Sequence, residues 1–245
     1  MKNQFSRLEL LIGEDAILRL YKKKIAVFGL GGVGGNVVDA LARSGIVNFT
    51  LIDNDEITIT NINRQLIANL DTIGRAKVDV MEEHLLSLNK DINVTKYKSF
   101  YLPGETFINL SGFDYVVDAI DTVSAKIDLI KRCNDLGVPI ISALGCGNKL
   151  DPSKLEITTL DKTSYDPLAK VLRRELRKLG KYNCKVVYSK ETPIDVIKNE
   201  TYLEELNSSN KKNIPGSSAF VPPVAGIMIA SEVIKDLLKK GREDL

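Results

Sequence analysis

The chain has 245 residues, and its 34 Lys plus Arg against 32 Asp plus Glu leave a formal net charge of +2; this length suits one large domain, and the near balance excludes a global polycation, so any nucleic-acid site has to be a local patch. Hydrophobic residues at 44% and charged residues at 27% supply an ordinary core and exclude compositional disorder. Cys133, Cys146 and Cys184 form no Cys-x-x-Cys pair and His84 is the single histidine, which argues against a four-cysteine zinc site, a disulfide scaffold or a multi-histidine metal centre and points to a reducing, cytoplasmic setting.

Met1 to Arg7 lacks the apolar stretch of a signal peptide. Lys24 to Gly29 is a short apolar run ending at glycine, the mark of a buried parallel strand. Gly35 to Ser44 carries Val37, Val38, Leu41 and Ala42 at helical spacing, and Asn48 to Asp53 is a second strand. Arg75 to Leu88 repeats Val78, Met81, Leu85 and Leu88 on one helical face. Ile92 to Tyr97, Tyr115 to Ala119 and Val138 to Ala143 are further strands, the last two separated by a helix over Ser124 to Leu136. This alternation predicts an α/β fold with a doubly wound, mostly parallel, Rossmann-like sheet.

From Leu150 the chain reads as a strand (Leu155 to Leu160), a basic helix (Leu168 to Leu179) and a strand (Cys184 to Ser189). A polar stretch, Lys198 to Asn213, reads as a mobile loop, and a closing helix runs from Pro223 to Lys239. The apolar run Ala219 to Ile234 is 16 residues long and contains Pro222, Pro223, Ser231 and Glu232, too short and too interrupted for a membrane span. We read one domain over 1–245: a nucleotide-binding core at 1–149, and a substrate portion at 150–245 that completes the sheet and a dimer and carries a mobile loop at about 192–213.

Gly29-Leu30-Gly31-Gly32-Val33-Gly34 joins the first strand to the first helix. Gly29 permits the tight turn, Gly31 lets the backbone approach a phosphate, and Gly34 allows close helix–strand packing, with the helix N-terminus supplying amide donors. Asp53 closes the second strand, where a carboxylate can accept from a ribose hydroxyl. These features indicate a nucleotide and leave NAD and ATP both open.

Downstream lie Asp55, the run Asn61-Ile62-Asn63-Arg64-Gln65, Gly74-Arg75-Ala76-Lys77 and Asp118-x-x-Asp121. Expulsion of pyrophosphate needs cations around its phosphates; Arg64 can clamp two oxygens, Lys77 supplies a point charge, and Asp121 offers a hard oxygen to Mg²⁺. Singly, Arg64 and Lys77 also read as solvated surface charges, and Asp121 as a helix N-cap.

In combination these motifs resemble the ThiF/MoeB-type adenylating superfamily, which includes the ubiquitin-activating enzymes. The resemblance implies ATP and Mg²⁺, with Gly31 and Gly32 on the phosphates, Asp53 on the ribose, Asn61, Arg64 and Lys77 on the triphosphate, and Asp121 on the metal; Asp55 and Gln65 fall within the same motifs. It also matches Arg7 to an arginine inserted into a partner subunit's ATP site, which implies a homodimer.

Branches acting on ubiquitin-like tails carry two Cys-x-x-Cys pairs, absent here, and many have a nucleophilic cysteine; Cys184 reads better as a core residue. Gly147-Asn148-Lys149-Leu150-Asp151-Pro152, Lys162-Thr163-Ser164, Asp166-Pro167-Leu168-Ala169, Val187-Tyr188-Ser189-Lys190-Glu191 and Pro215-Gly216-Ser217-Ser218 resemble the TcdA/YgdL branch, the tRNA threonylcarbamoyladenosine dehydratases. That branch implies a tRNA substrate whose threonyl carboxylate is adenylated and then closes a ring, releasing AMP and pyrophosphate. A sulfurtransferase-type protein is the further partner it suggests.

Between Leu168 and Lys190 the chain has Lys170, Arg173, Arg174, Arg177, Lys178, Lys181, Lys185 and Lys190 against Glu175 alone, a local cationic face suited to RNA phosphates. Tyr165 and Tyr182 read either as base-stacking or as packing residues. The alternative functions are adenylation of the C-terminal glycine of a ubiquitin-like sulfur carrier, hydride transfer with NAD, and a non-catalytic nucleotide-binding scaffold.

Overall fold

The computed structural model describes residues 3–208 and 213–239. Two short helices, α1 (Ser6–Ile12) and α2 (Glu14–Leu20), precede the first strand. The sequence reading assigns nothing there, because seven residues give too few turns to establish a period. β1 (Lys24–Phe28), α3 (Gly34–Arg43), β2 (Asn48–Ile52), α4 (Lys77–Leu88), β3 (Asn93–Tyr97), β4 (Tyr115–Asp118), α5 (Val123–Leu136) and β5 (Ile140–Ala143) follow in the expected alternation. β6 (Leu155–Thr159), α6 (Pro167–Leu179), β7 (Lys185–Ser189), α7 (Glu200–Ser208) and α8 (Val221–Lys239) complete the described chain.

The seven strands make one sheet in the order β3-β2-β1-β4-β5-β7-β6. All neighbours are parallel except β6, which runs antiparallel to β7 with Leu155 opposite Ser189 and Thr159 opposite Lys185. The doubly wound sheet is therefore present, and the C-terminal portion extends it. Side chains alternate across β1 as the pleat requires. Ile25 and Val27 join the core beneath α3, α4 and α8, while Ala26 and Phe28 join the opposite core beneath α5 and α6.

Because the strands are parallel, α3, α4 and α5 all start at the C-terminal edge of the sheet and run back along its faces. α6 does the same: its capping residue Asp166 lies beside Gly145, just past β5. α8 enters next to Gly32 and passes Lys185 at the opposite edge, where Glu232 and Asp236 receive the ammonium at 2.6 Å. No helix of the described residues is long and apolar enough to cross a membrane.

The polar stretch is a correction. Glu200 to Ser208 is helical rather than a mobile loop. Asn199 Oδ1 accepts from Tyr202 N at 3.0 Å, an N-terminal cap, and Tyr202 is buried. Asn, Lys and Ser residues obscured that signal. The rest of the predicted loop's tip, 209–212, lies outside the described residues.

Candidate active site

At the C-terminal edge, beyond β1, β2 and β4, the sheet opens into a cavity of about 480 Å³, within the usual size range of ligand sites. Its lining includes Gly29, Gly31, Gly32, Asp53, Asp55, Asn61, Arg64, Gln65, Lys77 and Asp121. Two residues of the sequence-derived set lie outside it. Arg7 is exposed on α1. Gly34 packs on the turn: a Cβ there would fall 1.8 Å from Gly29 O, and Gly29 itself has φ 90°. Gly34→Ala is expected to prise the turn open, destabilising the protein by about 1–3 kcal/mol or more and abolishing nucleotide binding; urea unfolding and a nucleotide titration check it.

Asp53 is fixed from the glycine turn and from its own loop. Its Oδ2 accepts from Leu30 N at 2.6 Å and its Oδ1 from Asp55 N at 2.8 Å. Burial raises its carboxyl above the ordinary value, opposed chiefly by Lys77 and by those two amide bonds. Lys77, the first residue of α4, is only 4% exposed, so the solvated-charge alternative does not hold for it. Its ammonium donates to Asp55 Oδ2 at 2.7 Å and lies 3.9 Å from Asp53 Oδ1.

The segment after β2 turns Arg64 into the cavity. Arg64 Nη1 donates to Thr60 O at 2.8 Å and Asn63 Oδ1 at 2.9 Å. Burial lowers the Arg64 pKa, with Glu205 of α7 pulling the other way. Asn61 Oδ1 accepts from Thr58 N at 3.2 Å. Gln65 is buried, and among the described residues its Oε1 has no hydrogen-bond partner. A buried acceptor of this kind in a polar cavity is free to take a hydrogen bond from water or a ligand.

Asp121 lines the cavity just past β4. The N-cap of α5 is Thr122, so Asp121 is not the capping residue. Behind this loop sits a closed polar cluster. Lys126 Nζ donates to Asp118 Oδ2 at 3.0 Å, Ser142 Oγ at 3.2 Å and Ala143 O at 2.7 Å, and Ser142 Oγ donates to Asp118 Oδ2 at 2.5 Å. All three side chains are fully buried. Among the described residues no group of three or more His, Cys, Asp or Glu is placed to hold a metal.

Sequence reasoning missed one wall. Asn54, Ser99, Phe100, Tyr101, Ile120 and Thr122 also line the cavity. They follow the ends of β2, β3 and β4, where open α/β sheets bind ligands; that positional rule was the available signal. Tyr101 is held rigidly. Its hydroxyl donates to Asp128 Oδ2 at 2.6 Å and accepts from Arg132 Nη1 at 2.6 Å, and its ring meets Phe28 edge-on at 5.0 Å. All three cysteines are buried. Burial pushes the Cys133 thiol up to about 12 and the Cys146 thiol up to about 11, far from a reactive thiolate.

The basic face is smaller than its sequence count. Arg173 turns inward, donating to Thr163 O at 3.0 Å, to Thr163 Oγ1 and to Leu160 O. Arg174 and Lys178 both pair with Glu175. Lys185 faces α8, and Lys190 pairs with Glu156. Lys170, Arg177 and Lys181 remain exposed and, among the described residues, make no ion pair.

A glycine turn backed by an acid-tipped strand, with an arginine, a buried lysine and a further acid converging on it, defines a nucleotide-binding α/β protein built to handle phosphate charge. The chain belongs to the ThiF family, whose model matches residues 5–245. It is 43% identical over 245 residues to the tRNA threonylcarbamoyladenosine dehydratase of Bacillus subtilis (strain 168), covering 98% of this chain and 96% of that one. It is 37% identical to the Haemophilus influenzae dehydratase, at 98% and 95% coverage. The crystal structure of the E. coli dehydratase in complex with ATP superposes with TM-score 0.84 at 31% identity, covering 99% of this chain and 96% of that one.

Proposed function

We propose that this chain is an ATP-dependent dehydratase of threonylcarbamoyladenosine in tRNA. The observation that carries the reading is the convergence of Asp53, Arg64, Lys77 and Asp121 on the Gly29–Gly34 turn, in a chain that matches dehydratases over nearly its whole length. The threonyl carboxylate attacks the α-phosphate of ATP, forming an acyl-adenylate and displacing pyrophosphate. An atom of the same side group then attacks the activated carbonyl, closing a ring with net loss of water and release of AMP.

Arg64 and Lys77 stabilise charge that builds on the departing phosphates, and Asp53 orients the ribose. Magnesium, when bound, neutralises phosphate oxygens; the donor set suits an ion held by Asp121 and the nucleotide together, the manner in which Mg²⁺ is usually held. Ring closure is intramolecular, so its effective molarity is high and no enzyme nucleophile is required. Three buried cysteines agree with that economy. We read the working form as a cytoplasmic homodimer in which Arg7, remote from its own cavity, reaches the partner's, with a sulfurtransferase-type protein as a further partner. Residues 1–149 hold the nucleotide, and 150–245 meet the tRNA.

The test is mass spectrometry of nucleosides from tRNA bearing threonylcarbamoyladenosine, incubated with the protein and Mg-ATP. An ATP-dependent loss of one water from that nucleoside supports the reading; an unchanged mass overturns it. The surface predicts a second result. Replacing Lys170, Arg177 and Lys181 together by alanine is expected to weaken tRNA binding and lower the slope of log affinity against log salt by about 2. Arg173→Ala, which removes an internal strut, is expected to reduce stability more than that slope. Filter binding at several salt concentrations, with urea melts, separates the two.

A further inference from the structure

Of the eight tyrosines, all within the described residues, Tyr165 alone is exposed, with 89% of its surface open. It also has φ 58°, a left-handed conformation that bulky side chains rarely adopt. Its neighbours hold it there. Thr163 is buried and its hydroxyl donates to Leu160 O at 2.8 Å. Ser164 Oγ lies 3.4 Å from Tyr188 Oη. Asp166 is buried, and its Oδ1 accepts from Ala169 N at 2.7 Å to cap α6. The chain thus holds an uncommon backbone conformation at a residue whose ring is open to solvent among the described residues. Tyr182, the other sequence candidate, is half-buried with the Lys131 ammonium 5.7 Å over its ring, and reads as packing.

Position gives the ring a use. Asp166 Oδ2 lies 3.8 Å from the Cβ position of Gly145, just past β5, and Asp121 and Thr122 of the cavity follow the adjacent strand β4. Tyr165 therefore stands at the same edge of the sheet as the cavity, next to the strand beside β4, flanked in sequence by exposed Lys162 and Lys170. An exposed aromatic between cations is the arrangement on which unpaired bases stack while their phosphates are held.

We propose that Tyr165 is a stacking platform for an unpaired base of the RNA neighbouring the nucleoside that enters the cavity. This rests on the dehydratase reading above and adds an RNA-binding residue to it. Stacking carries little dependence on salt, whereas the lysines beside it act on phosphates, so the two contributions separate experimentally.

The experiment compares Tyr165→Ala, Tyr165→Gly, Tyr165→Phe and Tyr165→Trp for binding to an anticodon stem-loop bearing threonylcarbamoyladenosine, by fluorescence anisotropy across a salt series. Tyr165→Ala and Tyr165→Gly are expected to weaken binding about fivefold or more with an unchanged salt slope. The aromatic replacements are expected to bind as the wild type does. Tyr165→Gly is also expected to keep or raise the melting temperature, because glycine accepts this φ, and all four variants are expected to keep ATP binding. Wild-type affinity in Tyr165→Ala, or loss of affinity in Tyr165→Phe, overturns the stacking role while leaving the dehydratase reading intact. Failure of the wild type itself to bind or convert the RNA overturns both.

Discussion

Lys77→Ala is expected to lower ATP-dependent turnover by about 10²-fold or more, the effect of deleting one preorganised electrostatic group from a site where charge develops. The structure sharpens the expectation. Lys77 is buried between Asp53 and Asp55, so its removal deletes the cation proposed to meet the phosphates and leaves two carboxylates without it at the same place. Burial already holds the Asp53 carboxyl above its ordinary value, and Lys77 is the largest influence pulling it down. In the variant that carboxyl rises further, and the ribose contact proposed for it is expected to weaken first at the acid end. The measurable result is a drop in kcat together with a rise in KM for ATP that worsens as pH falls. Pyrophosphate release near the wild-type rate would remove Lys77 from the proposed machinery.

Lys126→Ala is expected to be the most destabilising of these substitutions, by about 3–5 kcal/mol, because it strands a fully buried carboxylate. Asp118 is fully buried, and among the described residues its Oδ2 would keep only the Ser142 hydroxyl. Its Oδ1 also accepts from Ile120 N at 3.2 Å, so the cluster grips the turn leading to Asp121. Adding Asp118→Asn to Lys126→Met is expected to recover part of the loss, since the charge left unpaired would be gone. Urea unfolding of the four-member cycle measures this. Additive costs would mean that the two groups do not act as a pair.

Much of the cavity was legible because its residues come in short runs fixed by backbone geometry. Gly29 to Gly34 must occupy a strand-to-helix turn, and Asp53 must end the next strand, so local pattern places both. Phe100 and Tyr101 follow a half-exposed edge strand, β3, and enter the cavity only through tertiary folding; nothing in their composition marks them. Arg173 and Arg174 illustrate a different difficulty. They are adjacent and chemically identical, yet one props the fold and the other faces solvent. Helical spacing held the answer: Arg173 lies four residues after Ala169, on the side of the stripe formed by Ala169, Leu172 and Leu176. Counting charge along the sequence ignored that geometry. α7 was missed for a related reason: its polar composition outweighed the cap at Asn199.

The common direction of the helices has an electrical consequence. α3, α4, α5, α6 and α8 each begin at the cavity edge of the sheet, so five positive helix-dipole ends, each equivalent to about half a positive charge, are gathered along one border while the carbonyl ends disperse at the other. A chain with a formal net charge of only +2 thereby carries a polarised field. Under the proposed reading this field is directed at a triphosphate held at that border, whereas Arg177 and Lys181, at the other end of α6, would hold RNA phosphates by side-chain charge alone.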